Sequence, residues 1–119
     1  MNTRKYSSTQ EKGIAKKIHA KVQANSGATA FQKGDLLTAD FLIECKTKVA
    51  ESESVSIKRE WLDKLQEERF AMNRPYAALA FNFGGLGNPK NFYIIDEALF
   101  QQLQRHIQEE QTYETNRKR

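Results

Sequence analysis

A chain of 119 residues with a single cysteine, Cys45, excludes an internal disulfide and a four-thiolate zinc site within one chain. Its length predicts one domain over residues 1–119, with neither a secretory leader nor a run of about 18 apolar residues able to cross a bilayer, so a soluble, cytoplasmic protein is expected. The net charge of +4 is unevenly distributed, because residues 1–34 carry seven Lys or Arg against one Glu, whereas residues 35–116 carry nine against fourteen acidic residues. Basic ends of this kind favour a polyanionic partner such as DNA, although charged helix faces are also commonly just solvated.

The first predicted helix follows a flexible polar tail over residues 1–7. Ser8 or Thr9 can cap it, and the helix is expected to run to about Asn25. Its apolar stripe has a spacing of four residues: Ile14, Ile18 and Val22. Glu11 lies in line with this stripe, an unusual place for an acid. Residues 26–34 are mainly small and polar and predict a loop.

An extended hairpin is predicted next, with strands over residues 35–38 and 41–48 and a tight turn near Ala39 and Asp40. Because side chains alternate along a strand, Leu42, Glu44 and Lys46 share one face of the second strand. Its other face carries Phe41, Ile43, Cys45 and Thr47. The thiol of Cys45 therefore points away from Glu44 and is interpreted as core packing, not as a nucleophile.

The second half of the chain predicts two helices and two strands. Ser56 can cap a helix to about Met72 whose inner side carries Ile57, Trp61, Leu65 and Glu68. A nearly continuous apolar run over residues 76–83 is typical of a strand covered on both faces. After a turn over residues 84–90 come a strand over residues 92–95, a last helix from Asp96, and a flexible tail over residues 112–119. This order predicts an α/β fold with a central mixed sheet of about five strands flanked by helices.

Two features of this half are given structural interpretations. The aromatic residues of the strands are expected to be core and not a surface for stacking bases: Phe81, Phe83, Phe92 and Tyr93. The glycines of residues 84–87 suggest a phosphate loop, but no Lys-Ser/Thr pair or helix follows them, so they predict a hairpin turn.

The segment that carries chemistry is Asp35 followed by Glu44-Cys45-Lys46. In the predicted hairpin the carboxylates of Asp35 and Glu44 converge, and such hard oxygen ligands suit Mg²⁺, with Mn²⁺ as a substitute. The backbone carbonyl of Cys45 can add a ligand, and the Lys46 ammonium lies where it can stabilise a phosphorane or help to activate water. Asp40 is an alternative to Asp35, but its place in the turn favours local hydrogen bonding.

Together with the helix bearing Glu11 and the Ser26-Gly27 loop, this pattern resembles the PD-(D/E)xK nuclease superfamily, and most closely the Holliday junction resolvases of archaea and phages. The resemblance covers residues 8–107, and Gly34 stands where the motif has proline. It implies a restriction-endonuclease-like core in which Asp35 and Glu44 bind the metal and Lys46 assists the water. It further implies that Glu11 completes the acidic cluster and that Ser26 lies near the backbone phosphate.

The expected function is a Mg²⁺-dependent, structure-selective endodeoxyribonuclease that makes paired nicks in branched DNA as a homodimer, without a small-molecule cofactor. Contacts to DNA are expected from six lysines: Lys12, Lys16, Lys17, Lys33, Lys48 and Lys58. Trp61, however, is more simply explained by packing on the sheet, and His19 and His106 by a surface position. Two alternatives stay open, a related nuclease that cuts flaps, ends or duplex DNA, and a DNA-binding protein whose Asp35, Glu44 and Lys46 form a structural ion-pair network.

Overall fold

The structure is a computed structural model that describes residues 3–22, 35–48, 50–85, 87 and 89–118; for residues 3–8, Val22 and Asp35 it describes the backbone alone. Three helices accompany the strands in this part of the chain: α1 (Thr3–Ile18), α2 (Arg59–Ala71) and α3 (Glu97–Arg117). The strands are β1 (Lys21–Val22), β2 (Asp35–Leu37), β3 (Phe41–Lys46), β4 (Tyr76–Phe81) and β5 (Phe92–Ile94). The mixed α/β architecture expected from the sequence is confirmed.

The strands form one sheet in the order of the chain, β1-β2-β3-β4-β5. β2 and β3 are antiparallel, β3 and β4 are parallel with α2 between them in sequence, and β4 and β5 are antiparallel. The four strands predicted from the sequence are present with slightly shorter bounds. β1 is a two-residue strand at one edge, so the expected number of about five is reached only when this short segment is counted.

The side chains of β3 alternate between the two faces of the sheet, and each face is covered by a different helix. The face that we call the Cys45 face packs against Ile14 of α1, with a buried cluster formed by Leu36, Ile43, Cys45, Ala78 and Ala80. The opposite face, the Glu44 face, packs against α2 through Leu65, which contacts the cluster of Leu42, Ala77 and Leu79. The buried run Ala77 to Ala80 confirms that β4 is covered on both sides.

The first helix differs from its prediction at both ends. It begins at Thr3, so the expected tail over residues 1–7 is helical from that residue onward. It ends at Ile18 and not near Asn25, because His19 adopts φ 55° and the Ala20 amide donates back to the carbonyl of Ala15 at 3.0 Å, a Schellman arrangement. Val22, assigned to the helix stripe, pairs with Leu36 in the sheet.

The later helices also depart from their predictions. α2 begins after Lys58, whose side chain makes no capping hydrogen bond, and not after Ser56. α3 begins as expected, with the Asp96 side chain accepting from the Leu99 amide at 2.8 Å, but it continues to Arg117. The prediction of a flexible tail from residue 112 was therefore wrong for residues 112–117.

The aromatic side chains of β5 are not core. Phe92 is 41% exposed and Tyr93 is 47% exposed, because β5 lies at the edge of the sheet. Phe81 and Phe83 are partly buried, and the rings of Phe81 and Phe92 are stacked with 5.7 Å between their centroids. The prediction that these aromatic side chains belong to the core was thus closer for Phe81 and Phe83, which are partly buried, than for Phe92 and Tyr93.

Among the described residues, no helix combines the length and the apolar character needed to cross a membrane.

Candidate active site

The hairpin of β2 and β3 places the two predicted acidic ligands opposite each other. In its backbone register Asp35 pairs with Glu44, Leu36 with Ile43, and Leu37 with Leu42. Directly opposed residues of an antiparallel pair lie on the same face, with their Cβ atoms about 4.5–5.5 Å apart. Asp35 is therefore placed on the Glu44 face, beside Glu44. Asp40 lies instead in the connection between the strands, exposed, with its amide donating to the Thr38 hydroxyl at 3.2 Å.

Glu44 and Lys46 form an ion pair on this face. The Lys46 Nζ lies 3.3 Å from Glu44 Oε1, and the Glu44 side chain is only 16% exposed whereas that of Lys46 is 34% exposed. A carboxylate so largely withdrawn from water needs a charged or hydrogen-bonding partner to offset its lost hydration. An acid and an amine therefore share a sheltered position, on the strand that pairs with Asp35.

Helix α2 covers these groups. Trp61, in the first turn of the helix, places the centre of its ring 4.5 Å from Lys46 Nζ and 5.8 Å from Lys58 Nζ. One turn later Leu65 is buried against the sheet, and Glu68 follows three residues after it on the same side of the helix. Trp61 and Glu68 were not among the predicted site residues, although the sequence placed both on the same side of this helix as Leu65.

The pKa of the Glu68 carboxyl group is affected by the charges of the site. Burial raises its pKa above the ordinary value, and the nearby charge of Glu44 raises it further, while Lys64 and Lys46 oppose this change. The folded protein therefore holds a proton on Glu68 to a higher pH than the unfolded chain does.

We expect Glu68→Gln to stabilise the metal-free protein at pH 7. Because the pKa of Glu68 is raised in the folded protein, the wild type loses stability as the pH rises from the ordinary pKa of 4.5 through the folded-state pKa. Glutamine does not ionise, so the variant does not lose this stability. The gain should be less than about 1 kcal/mol, since the group is largely solvated. Urea unfolding at pH 4 and pH 7 measures it, with the exposed neighbour Glu67→Gln as the control. An equal effect of both substitutions, or a gain that persists at pH 4, would contradict the prediction.

The middle of α1 is tied to the end of the motif strand. Gln10, which is buried, donates from Nε2 to the carbonyl of Lys46 at 2.9 Å and to Asn91 Oδ1 at 3.1 Å. Buried Asn82 extends this network by accepting from the Thr47 hydroxyl at 2.8 Å and donating to Asn91 at 3.2 Å. Glu11, the neighbour of Gln10, lies on α1, which packs on the Cys45 face, and its role as a third acidic ligand stays a prediction.

The basic residues predicted to contact DNA do not share one surface. Lys12, Lys16 and Lys17 are exposed on α1, the helix that packs on the Cys45 face, whereas Lys58 is exposed at the start of α2 on the Glu44 face. Lys48 is half-buried and donates to the Ser52 hydroxyl at 3.4 Å. Lys33 and Ser26 lie outside the described residues.

The remaining predicted assignments agree with the structure. The Cys45 side chain is buried on the face opposite Glu44, as expected for core packing. His19 and His106 are exposed, and His106 lies 3.2 Å from Glu110 on α3. Gly84, Gly85 and Gly87 adopt positive φ between β4 and β5, as expected for a turn.

The donor set fits a hard divalent cation. Asp35 and Glu44 offer carboxylate oxygens from adjacent strands, and the peptide carbonyl of Cys45 follows Glu44 directly. Within the described side chains, which do not include that of Asp35, no three His, Cys, Asp or Glu residues gather as a metal site. Two protein carboxylates are nevertheless the number that Mg²⁺ commonly uses when substrate phosphate and water complete its shell.

Comparison with known proteins finds no match to the chain among protein-family models, curated proteins or solved structures.

Proposed function

We propose that the protein is a Mg²⁺-dependent endonuclease that hydrolyses DNA phosphodiesters and whose active site is formed by Asp35, Glu44 and Lys46. The observation that carries the proposal is the pairing of Asp35 with Glu44 across β2 and β3, with Lys46 two residues further on the same face. Acidic pairs in a sheltered position repel each other unless a cation or a proton lies between them. A site for one divalent cation would account for two acids paired in the backbone register with an amine on the same face.

The finer fold assignment is a restriction-endonuclease-like core. It is supported by the order of the elements, in which a helix and an antiparallel hairpin precede a helix and a strand parallel to the motif strand. The resemblance of the motif to PD-(D/E)xK nucleases rests on the same residues.

The roles of the side chains follow from their charges and positions. Asp35 and Glu44 would hold the cation, which supplies Lewis acidity at the scissile phosphate when bound. Lys46 can donate hydrogen bonds to a non-bridging phosphate oxygen and stabilise the negative charge that grows on it as a water oxygen bonds to phosphorus. The 3.3 Å contact with Glu44 holds the ammonium at this face before substrate arrives. Burial of Glu44 excludes part of the water that would screen these charges.

The proposed substrate is branched DNA, cut by paired nicks as in the Holliday junction resolvases that the motif resembles. Exposed lysines on both sides of the sheet suit a substrate that passes around the domain and does not cross a single flat surface. The experiment is cleavage of labelled four-way junction, flap and linear duplex with Mg²⁺ and with EDTA. We expect Mg²⁺-dependent cleavage that is fastest on the junction. Preference for flap or duplex would correct the substrate, and no cleavage of any DNA would overturn the proposal.

A homodimer is part of this proposal, because paired nicks need two sites related by symmetry. Helix α3 offers a candidate contact surface, since its apolar stripe is exposed along one side: Phe100, Leu103 and Ile107. We expect sedimentation equilibrium to give a dimer for the wild type and a monomer for Leu103→Glu combined with Ile107→Glu. Gln101→Glu combined with Gln104→Glu adds the same charge to this exposed helix and is the control. A monomeric wild type, or a dimer that survives both pairs of substitutions, would contradict it.

One observation favours the non-catalytic alternative. The Glu44–Lys46 ion pair is complete by itself, as a structural pair would be. In that case the protein would bind DNA without cutting it, and neither Mg²⁺ nor Mn²⁺ would bind at Glu44. The cleavage assay with and without EDTA separates this alternative from the endonuclease.

A further inference from the structure

We propose that Trp61 is a positioning residue that holds the ammonium of Lys46 in place for the reaction. This inference rests on the proposed function for its kinetic consequence and on the contact of the two side chains for its structural basis. The ring centre of Trp61 lies 4.5 Å from Lys46 Nζ, within the distance at which a cation is attracted to an indole face.

Lys46 needs such a constraint because its stem is flexible. A lysine has four rotatable side-chain bonds, and its ammonium is a compact charge without a fixed direction. In this structure two groups hold the ammonium: Glu44 Oε1 at 3.3 Å and the Trp61 ring. With one third of the side chain exposed, the ammonium would otherwise be drawn into water.

The two contacts differ in what they leave available. Glu44 is also a proposed ligand of the cation, so a bound cation competes with Lys46 for the same carboxylate oxygens. The indole face neither neutralises the ammonium nor accepts a strong hydrogen bond, so the N–H groups stay free for phosphate oxygens. Trp61 is therefore the contact that can persist when the site is loaded.

The position of Trp61 is itself fixed by packing. It lies in the first turn of α2, one turn before Leu65, which is buried among Leu42, Ala77 and Leu79. The ring is half-buried against the same cluster. A second cation, Lys58, lies 5.8 Å from the ring centre at the helix start, so the indole lies beside two positive charges.

The first arm of the test is spectroscopic and does not depend on activity. Trp61 is the only tryptophan of the chain, so its emission reports on this contact alone. We expect Lys46→Met to change the emission maximum or intensity of the folded protein, and the matched Lys58→Met to change it less, because Lys58 is farther away. Unchanged emission in Lys46→Met would overturn the inference.

The second arm is kinetic and compares Trp61→Leu with Trp61→Phe. Leucine keeps apolar bulk without a ring face, and a misplaced ammonium should lower kcat by roughly 10- to 100-fold. KM should change little, because Lys46 acts on charge that develops in the reaction. Phenylalanine keeps a ring face and should restore most of kcat. Equal activity of the leucine variant and the wild type would overturn the inference, as would equal loss in both folded variants.

These outcomes separate the inference from the proposed function. A wild type that cuts no DNA removes the nuclease, whereas a nuclease whose kcat is insensitive to Trp61 removes only the positioning role. Circular dichroism establishes that each variant is folded. Should Trp61→Leu fail to fold, Trp61→Met supplies the comparison without an aromatic ring.

Discussion

Replacing Lys46 with alanine is expected to slow DNA cleavage by at least about 100-fold while the affinity for DNA changes only a few-fold. The ammonium is the only proposed group at the site that can donate to a phosphate oxygen as negative charge develops. Its contribution is therefore larger in the transition state than in the bound substrate. Its removal should lower kcat rather than raise KM. Single-turnover cleavage and a binding titration in Ca²⁺ measure the two quantities separately.

The matched control for this substitution is Lys48→Ala. Lys48 follows the same strand by two residues and is also partly buried, but its ammonium donates to Ser52 outside the site. We expect the single-turnover rate of this variant at saturating DNA to stay near that of the wild type, because the DNA contact expected of Lys48 affects affinity and not the reacting phosphate. Near-normal cleavage by Lys46→Ala, or an equal loss in both variants, would contradict the role given to Lys46.

Glu44→Gln and Asp35→Asn are each expected to reduce cleavage by at least about 100-fold. Each substitution keeps the shape of the side chain and removes the negative charge that a divalent cation requires. The two losses of cleavage rate should not add in the double variant, because either substitution alone impairs binding of the same cation. Initial rates at several Mg²⁺ concentrations measure this, since a weakened site recovers activity only at higher concentration.

Asp40→Asn separates the two aspartates that the sequence offered as ligands. The register places Asp35 opposite Glu44, whereas Asp40 is exposed in the connection between β2 and β3. We expect Asp40→Asn to cleave at the wild-type rate. A severe loss in Asp40→Asn together with normal cleavage in Asp35→Asn would move the site to the turn and refute the arrangement derived from the register.

The hairpin could be predicted from the sequence because its signals are local. Apolar Phe41, Leu42 and Ile43 indicate a buried strand, and strict alternation then places Glu44 and Lys46 on one face and Cys45 on the other. The sequence also predicted that Asp35 and Glu44 lie on neighbouring strands, whereas their exact register came from the structure. The structure reproduces the hairpin and the alternation of side chains along β3.

The errors arose where local pattern and tertiary structure diverge. The spacing of Ile14, Ile18 and Val22 continues a helical stripe, but a left-handed His19 ends the helix and Val22 joins the sheet. The residue type of His19 marks such a turn only weakly, since glycine and asparagine are the usual signals. The polar residues after 112 contain no helix-breaking proline or glycine, and α3 continues through them.

The contributions of Trp61 and Glu68 depend on how α2 crosses the sheet. Helical spacing indicates that both share a side with Leu65, but only the crossing shows that this side covers Lys46 and Glu44. Likewise, the exposure of Phe92 follows from the place of β5 at the edge, which its apolar composition does not reveal. Contacts between distant elements of this kind require the folded structure.

Calorimetric titration of Mn²⁺ into EDTA-treated, dialysed protein tests most directly whether Asp35 and Glu44 hold a divalent cation. The wild type should give a saturable heat with one site per chain, and this heat should be absent from Glu44→Gln and Asp35→Asn while it persists in Asp40→Asn. A wild type without saturable binding, or a Glu44→Gln variant that binds Mn²⁺ as the wild type does, would contradict the assignment of these carboxylates.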